Sequence, residues 1–312
     1  MAITAATNNA FDGAVRLTDW SLLRASGADA AAFLQGQLTQ DIVALQPGQA
    51  GLSGYCSAKG RLLASFVVWR VRDEEFGLLC SADLAAAVRK RLSMYVLRAR
   101  CRVDDVSTEW LVFGLAGPSA TRWSGGHEAW RTRQQGVAWL IALPAAEHVL
   151  RWLCVQPADA QPPPLPVLDA QAWRHLEVMS GVPRIVAATA EQFVPQMINF
   201  ELVGGVHFQK GCYPGQEVVA RSQYRGTIKR RMILFATTGS PRPGQEVFHS
   251  GDPAQPAGMV VNAAAFPASD ARLLAEVKLA ALDSGTLHLG SVDGPPLQRL
   301  PLPYPIVDAA HA

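Results

Sequence analysis

A chain of 312 residues exceeds one comfortable hydrophobic core, so about two or three domains are expected, and an apolar content of 49% suffices to fill them. Its 28 basic and 26 acidic residues leave a formal net charge of only +2. That field is too weak to recruit nucleic acid or an anionic membrane, so strong direct nucleic-acid binding is not expected and any anion site must be local. No run approaches the about eighteen apolar residues of a membrane helix; the best, Leu62 to Trp69, is strand-sized and contains Ser65.

Met1 to Phe11 carries no Lys or Arg and no apolar core, unlike a secretory signal, so a cytoplasmic, soluble protein is expected. From Asp29 to Gln40 the positions Ala31, Phe33, Leu34 and Leu38 predict an amphipathic helix with Asp29 as its cap. Arg61 to Val71 is rich in β-branched and aromatic residues, and Phe76 to Cys80 reads as its hairpin partner. Ser81 to Tyr95 returns to helical spacing with Ser81 at the cap. Leu97, Ala99, Cys101 and Val103 then alternate with Arg98, Arg100 and Arg102, which predicts a strand with one core face and one solvated basic face.

Trp110 to Ala116, Val137 to Leu143 and a helix over Ala145 to Leu153 predict a second small β/α unit. Pro157, Pro162, Pro163, Pro164 and Pro166 close it as a linker. Ala170 to Met179 is helical again and leads through Gly181 and Pro183 to Phe193-Val194-Pro195-Gln196 and Asn199. After Gly226, Arg231 to Thr237, Glu246 to His249, Met259 to Val261, Leu273 to Leu279 and Thr286 to Leu289 alternate with Gly, Pro, Asp and Ser clusters, as in a small antiparallel barrel or sandwich. Gly294 to Pro305 is a proline-laced tail.

The five cysteines are scattered, with no C-x-x-C and no paired Cys/His spacing, so no structural metal is expected. Cys56, Cys80, Cys101 and Cys154 sit among apolar residues as core thiols would. Cys212 differs. In Lys210-Gly211-Cys212-Tyr213-Pro214-Gly215-Gln216-Glu217-Val218-Val219-Ala220-Arg221 it lies between a cation and a predicted helix start, with Pro214 suited to the first turn and Glu217 to its electropositive end. Unpaired backbone N–H groups and the Lys210 ammonium would both favour a thiolate, so Cys212 is the candidate catalytic group and Lys210 its support. The commonest nucleotide, zinc-protease and hydrolase signatures are absent, and His207 reads as structural.

Phe193-Val194-Pro195-Gln196, Asn199, Gly204-Gly205 and the Lys-Gly-Cys-Tyr-Pro-Gly-Gln-Glu core resemble the YgfZ-type folate-binding proteins, relatives of the aminomethyltransferase (T-protein) of the glycine cleavage system. Ala31 to Asp41, Tyr55-Cys56-Ser57-Ala58-Lys59-Gly60-Arg61, and Arg225-Gly226 with Lys229-Arg230-Arg231 support the resemblance, which is weakest around residues 115 to 165. It implies an α+β, three-domain, T-protein-like ring around a folate-sized hole, with ferredoxin-like units and a C-terminal antiparallel β-barrel. The corresponding boundaries are 1–112 with 168–226 for a folate-binding domain, 113–167 for a small ferredoxin-like domain, and 227–312 for the barrel. It further implies tetrahydrofolate or a one-carbon derivative as ligand, and transient partnership with iron–sulfur proteins or their assembly machinery, felt through dependent tRNA modification.

A pterin ring presents a 2-amino group and an adjacent N–H that one carboxylate can accept together. The resemblance assigns that task to Glu177, whose segment His175-Leu176-Glu177-Val178-Met179-Ser180-Gly181 is similar to the R-L-E-A-G segment of T-proteins. Gln196, Asn199, Lys210, Tyr213, Gly215, Gln216, Glu217 and Arg221 complete the implied folate set, and Arg225, Lys229, Arg230 and Arg231 are candidate extensions for the anionic tail. One departure bears on the reaction class: the catalytic aspartate segment of T-proteins corresponds to Gly60-Arg61-Leu62-Leu63-Ala64, where Leu63 and Ala64 replace both carboxylates. The resemblance thus keeps folate binding and puts aminomethyl transfer in doubt, which leaves a folate-dependent aminomethyl- or methyltransferase and a non-catalytic scaffold for an iron–sulfur client as the two alternative readings.

Overall fold

The structure, a computed structural model of the chain, describes residues 10–224, 228–265 and 270–306. Three sheets with antiparallel strand pairing carry the fold. The first has the order β3-β4-β5-β2-β6, from β3 (Ala50–Cys56), β4 (Leu62–Arg72), β5 (Glu75–Ser81), β2 (Trp20–Ser26) and β6 (Arg102–Asp105). Its central strands are buried along most of their length, so they read as near-continuous apolar runs rather than alternating ones. Helix α1 (Ala30–Gln35) and helix α2 (Ala82–Val96) belong to this unit, α2 seating Leu84, Ala85, Val88 and Leu92 in the core.

The second sheet has the order β1-β7-β10-β9-β8, from β1 (Gly13–Arg16), β7 (Trp110–Ala116), β10 (Val149–Pro157), β9 (Ala138–Ala146) and β8 (Thr132–Gln135), with helix α3 (Gly117–Ser124) beside it. β1 comes from far upstream and pairs with β7 along Gly13↔Ala116 to Arg16↔Phe113. The third sheet is a curled half-barrel of order β15-β12-β13-β14-β11-β16, built from β11 (Arg230–Thr237), β12 (Glu246–His249), β13 (Asp252–Ala264), β14 (Ala271–Lys278), β15 (Leu287–Leu289) and β16 (Gln298–Leu300). Helices α4 (Ala170–Met179) and α5 (Gln216–Tyr224) follow the proline-rich connection and lie between the second and third sheets in sequence. The fold is α+β. One large apolar cluster unites the first sheet with Trp173, Leu176, Phe193, Ile198 and Phe200, and smaller clusters lie in the other two sheets.

Four local expectations are corrected. Residues 145–153 form a hairpin, not a helix: Glu147 and His148 both take positive φ, 48° and 67°, in a two-residue turn that joins β9 to β10. The expected strand over Leu97 to Val103 is a turn up to Cys101. Helix α2 runs on through Val96, Leu97 ends it at φ 46°, and only residues from Arg102 onward pair with β2. Asp29 does not cap α1 with its side chain; its carboxylate accepts from the backbone and guanidinium of Arg100 instead. Ser81 likewise makes no side-chain cap, and its hydroxyl donates to the Ile185 carbonyl at 2.8 Å.

Helix α4 reaches the second sheet through a glycine. A Cβ on Gly114 of β7 would lie 2.5 Å from the Trp173 indole, so the ring rests directly on strand backbone. Gly114→Ala is therefore expected to lower stability by about 1–3 kcal/mol, as overpacking does, with a reduced urea midpoint as the readout.

Candidate functional site

Helix α4 begins at Asp169, whose carboxylate accepts from the Gln171 and Ala172 N–H groups at 2.7 and 3.1 Å. Ala172, Trp173 and Leu176 face the core, which turns Glu177 toward a cavity of about 460 Å³. Trp20, Phe66, Val67, Leu143 and Trp130 supply apolar walls, and Asp19, Asp83, Arg151, Arg174 and Arg184 join Glu177 as its charged groups. An apolar cleft of this size with few converging polar groups is the usual form of a small-molecule site.

Arg184 organises the charges. Its guanidinium lies 2.7 Å from Asp19 and 3.9 Å from Glu177, and 4.7 Å above the Trp20 ring. Burial pushes Glu177 above the ordinary carboxyl range, against the pull of Arg184. Burial also opposes ionisation of Asp19, but the charge and hydrogen bond of Arg184 hold it below that range. Arg151, on β10, is buried, donates to the Pro144 carbonyl at 2.9 Å and stacks 5.5 Å from the Trp173 ring. Burial pushes it down to about 10, which leaves it a cation at neutral pH.

The thiol motif forms a second place. Cys212 is exposed, whereas Cys56, Cys80 and Cys154 are buried and Cys101 is half-buried. Burial pushes Cys56, Cys80 and Cys154 up to about 12 and Cys101 to about 11, so those four thiols are poor nucleophiles. Lys210 is buried; its ammonium donates to the Leu38 carbonyl at 2.5 Å and to the Gln35 carbonyl, capping the end of α1, and lies 5.2 Å from the Tyr213 ring centre. Burial lowers it to about 8, while Asp41 and Cys212 pull it back up. Helix α5 starts at Gln216, so Pro214 stands just ahead of the first turn.

Gly215 sets the loop's position. At φ 78° it approaches so closely that a Cβ would lie 2.4 Å from the Ser57 carbonyl and 2.6 Å from Gly60 Cα. The Thr39 hydroxyl donates to the Gly205 carbonyl at 2.5 Å and accepts from Gly54 N–H at 2.6 Å. Three segments distant in sequence, 38–40, 54–60 and 204–215, thus meet at one place.

Of the predicted residues, Glu177 lines the cavity; Cys212, Gln196, Asn199, Lys210, Tyr213, Gly215, Gln216, Glu217 and Arg221 are not among its walls. Gln196 is buried and donates to the Val219 carbonyl at 2.9 Å; Asn199, at φ 57°, donates to the Met232 carbonyl at 2.8 Å. Both tie α5 or β11 to the short turn Pro195–Ile198. Tyr213 is buried, Gln216 donates to the Lys210 carbonyl at 3.5 Å, and Glu217 pairs with Arg221 in solvent at 2.6 Å. The expected basic extension is corrected at two of its positions: Arg230 binds Glu276, and buried Arg231 binds Glu201 and the Gln196 carbonyl. Arg225 and Gly226 lie outside the described residues.

Sequence reasoning missed Asp19, Arg151, Arg174 and Arg184. Reading 145–153 as a helix hid the signal of Arg151, a cation inside a buried strand. Asp19 and Arg184 flank no motif; only the fold makes them neighbours. Among the described residues no group of three or more His, Cys, Asp or Glu is placed to hold a metal ion, and no helix is long and apolar enough to cross a membrane.

A profile of the GCVT N-terminal domain family matches residues 3–123. The tRNA-modifying protein YgfZ of Edwardsiella ictaluri is 34% identical over 244 residues, covering 72% of this chain and 71% of that one. The protein of the same name from Cronobacter sakazakii is 30% identical over 316 residues, covering 95% and 94%. The crystal structure of the glycine cleavage system aminomethyltransferase T from Bartonella henselae superposes with a TM-score of 0.71 over 93% of this chain and 86% of that one, at 14% identity, a likeness of fold.

Two expected outcomes follow from the thiol loop. A disulfide reagent added to native protein should modify Cys212 quickly, half-buried Cys101 slowly and the three buried thiols only on unfolding, and Cys212→Ser should abolish the fast phase. Lys210→Met strands the Gln35 and Leu38 carbonyls and should cost about 1–3 kcal/mol in denaturant unfolding. Folded Lys210 titrates near about 8 rather than 10.5, so between those values the unfolded chain holds more protons. The stability advantage of wild type over the methionine variant should therefore grow as pH rises through that window.

Proposed function

The chain belongs to the YgfZ family, and from that premise we propose that it is a cytoplasmic tetrahydrofolate-binding auxiliary protein of iron–sulfur cluster assembly or repair, acting on dependent tRNA modification. The observation that carries the reading is Glu177, a carboxylate presented to an apolar, arginine-bearing cavity of about 460 Å³. Its side chain is 20% exposed and its nearest cation, Arg184, is 3.9 Å away, so Glu177 retains acceptor capacity for the paired donors of a pterin edge. Arg174 and Arg151 supply positive charge for an anionic tail. The bound folate would bring the one-carbon group; the chain's residues orient it and exclude water.

Cys212 is the exposed thiol of the motif, available as nucleophile, one-carbon acceptor or transient ligand to a cluster delivered as cargo. A lone cysteine does not complete a cluster's ligand set, so such a contact is shared with a partner iron–sulfur protein or an exogenous thiol. Aminomethyl transfer is disfavoured by the carboxylates available. Leu63 and Ala64 stand on β4 where the T-protein relatives carry theirs, Asp19 is held by Arg184, and Asp83 accepts from the Ala187 N–H at 2.9 Å. Leu63 and Ala64 carry no proton to manage, and both aspartates are already engaged, which weighs against general acid–base work at a transferring amine.

Calorimetric titration tests the reading directly. Tetrahydrofolate should bind wild type, and Glu177→Ala should lose affinity by about tenfold or more, roughly the worth of a charge-assisted pair, with its urea midpoint retained. Absence of binding to wild type would remove the folate reading; turnover in a glycine-cleavage half-reaction would revive the transferase. Binding needs ionised Glu177, and burial raises its pKa above 4.5. Affinity should therefore weaken on acidification at a higher pH than an ordinary carboxylate would dictate, and Glu177→Gln should flatten that dependence.

A further inference from the structure

Trp130 stands at φ 65°, in the left-handed region that bulky residues avoid. Its backbone is held there from both sides. The Trp130 N–H donates to the Ala142 carbonyl on β9 at 2.8 Å, and its carbonyl accepts from the N–H of Ala50, the first residue of β3, at 2.7 Å. A bridge between Gln49 and Arg131 and a 2.9 Å bond from Thr132 N–H to the Gly48 carbonyl continue the clamp. The strained conformation is thus over-determined by the first and second sheets together, and it fixes the direction in which the side chain leaves the chain.

Trp130 is in the wall of the Glu177 cavity and also in the wall of a second cavity of about 340 Å³ shared with Asp41, Glu128 and His207. It is only half-buried, although it touches the core. A residue placed only to fill a core has no need of a strained backbone or of a position in two cavity walls, whereas a ring meant to meet a ligand's face needs a fixed direction. We infer that Trp130 is a stacking residue of the Glu177 cavity, its indole taking one face of the ligand's flat ring system while Glu177 takes the donor edge. The inference rests on the folate reading and extends it to a residue outside the motifs.

The test compares two substitutions that keep an apolar side chain on the same strained backbone. In calorimetric titration with tetrahydrofolate, Trp130→Phe should stay within about threefold of wild type, and Trp130→Leu should lose about tenfold or more, as loss of a stacking ring does. The two variants should share one urea midpoint. In parallel, the ligand-induced quenching of tryptophan emission should diminish in Trp130→Phe, a signature that a purely packing role would not move. Wild-type affinity in Trp130→Leu, or equal losses in both variants, would overturn the inference while the folate reading stands. No binding to wild type would end both.

Discussion

The structure depends most on the short crossing made by Arg184 and Ile185. Arg184 donates its N–H to Asn262 Oδ1 at 2.9 Å and its carbonyl accepts from Asn262 Nδ2 at 2.8 Å, which ties it to β13 of the third sheet. Its guanidinium reaches back to Asp19 at the start of β2. Ile185 accepts from the Ser81 hydroxyl at 2.8 Å and donates to Ser65 Oγ at 2.9 Å, which fixes the same segment to β5 and β4. The first and third sheets are therefore joined through one extended dipeptide, and the cavity lies beside it. A buried ion pair is not a large source of stability, yet removing one partner leaves the other desolvated and alone. The same arginine offsets part of the burial that raises Glu177, so architecture and site share one arginine.

The cavity that holds Glu177 and the loop that holds Cys212 are built by different parts of the chain. Glu177 is held on a capped helix whose core face is closed by Trp173 resting on Gly114. Cys212 is held in a loop pinned by the close approach of Gly215 to Gly60 and by Lys210 across the end of α1. The Lys210 ammonium satisfies two carbonyls, so its first task is to hold the motif against the helix. Under the function proposed above, an exposed thiol outside the walls of the Glu177 cavity leaves Cys212 open to another macromolecule.

Much of the fold was legible in the residues. Strands β4, β5, β7 and β9 announced themselves by β-branched and aromatic runs, helices α2 and α4 by their period, and β11 to β15 by strands cut with turn residues. Glu177 and Cys212 were legible through motif text. Arg151 was not, because Ala145 to Leu153 lacks the Asn-Gly signature of a tight hairpin and its alanines suggest a helix. Only the pairing of β10 with β9 and β7 overrides that local preference. Leu97 was misplaced for a similar reason: its alternation with arginines imitates a strand, but the Asp29–Arg100 contact folds the segment into a turn.

The sequence alone determined the α+β class, the family likeness and the thiol motif around Cys212, since each is written in local composition or in a contiguous string of residues. The tertiary structure alone decided that Asp19, Arg151, Arg184 and Trp130 share walls with Glu177, and that Lys210 caps a helix. These outcomes depend on contacts between segments far apart in the chain. Such contacts arise from sheet pairing, from glycine close approach and from the geometry of a shared core, none of which leaves a periodic mark on the residues that take part.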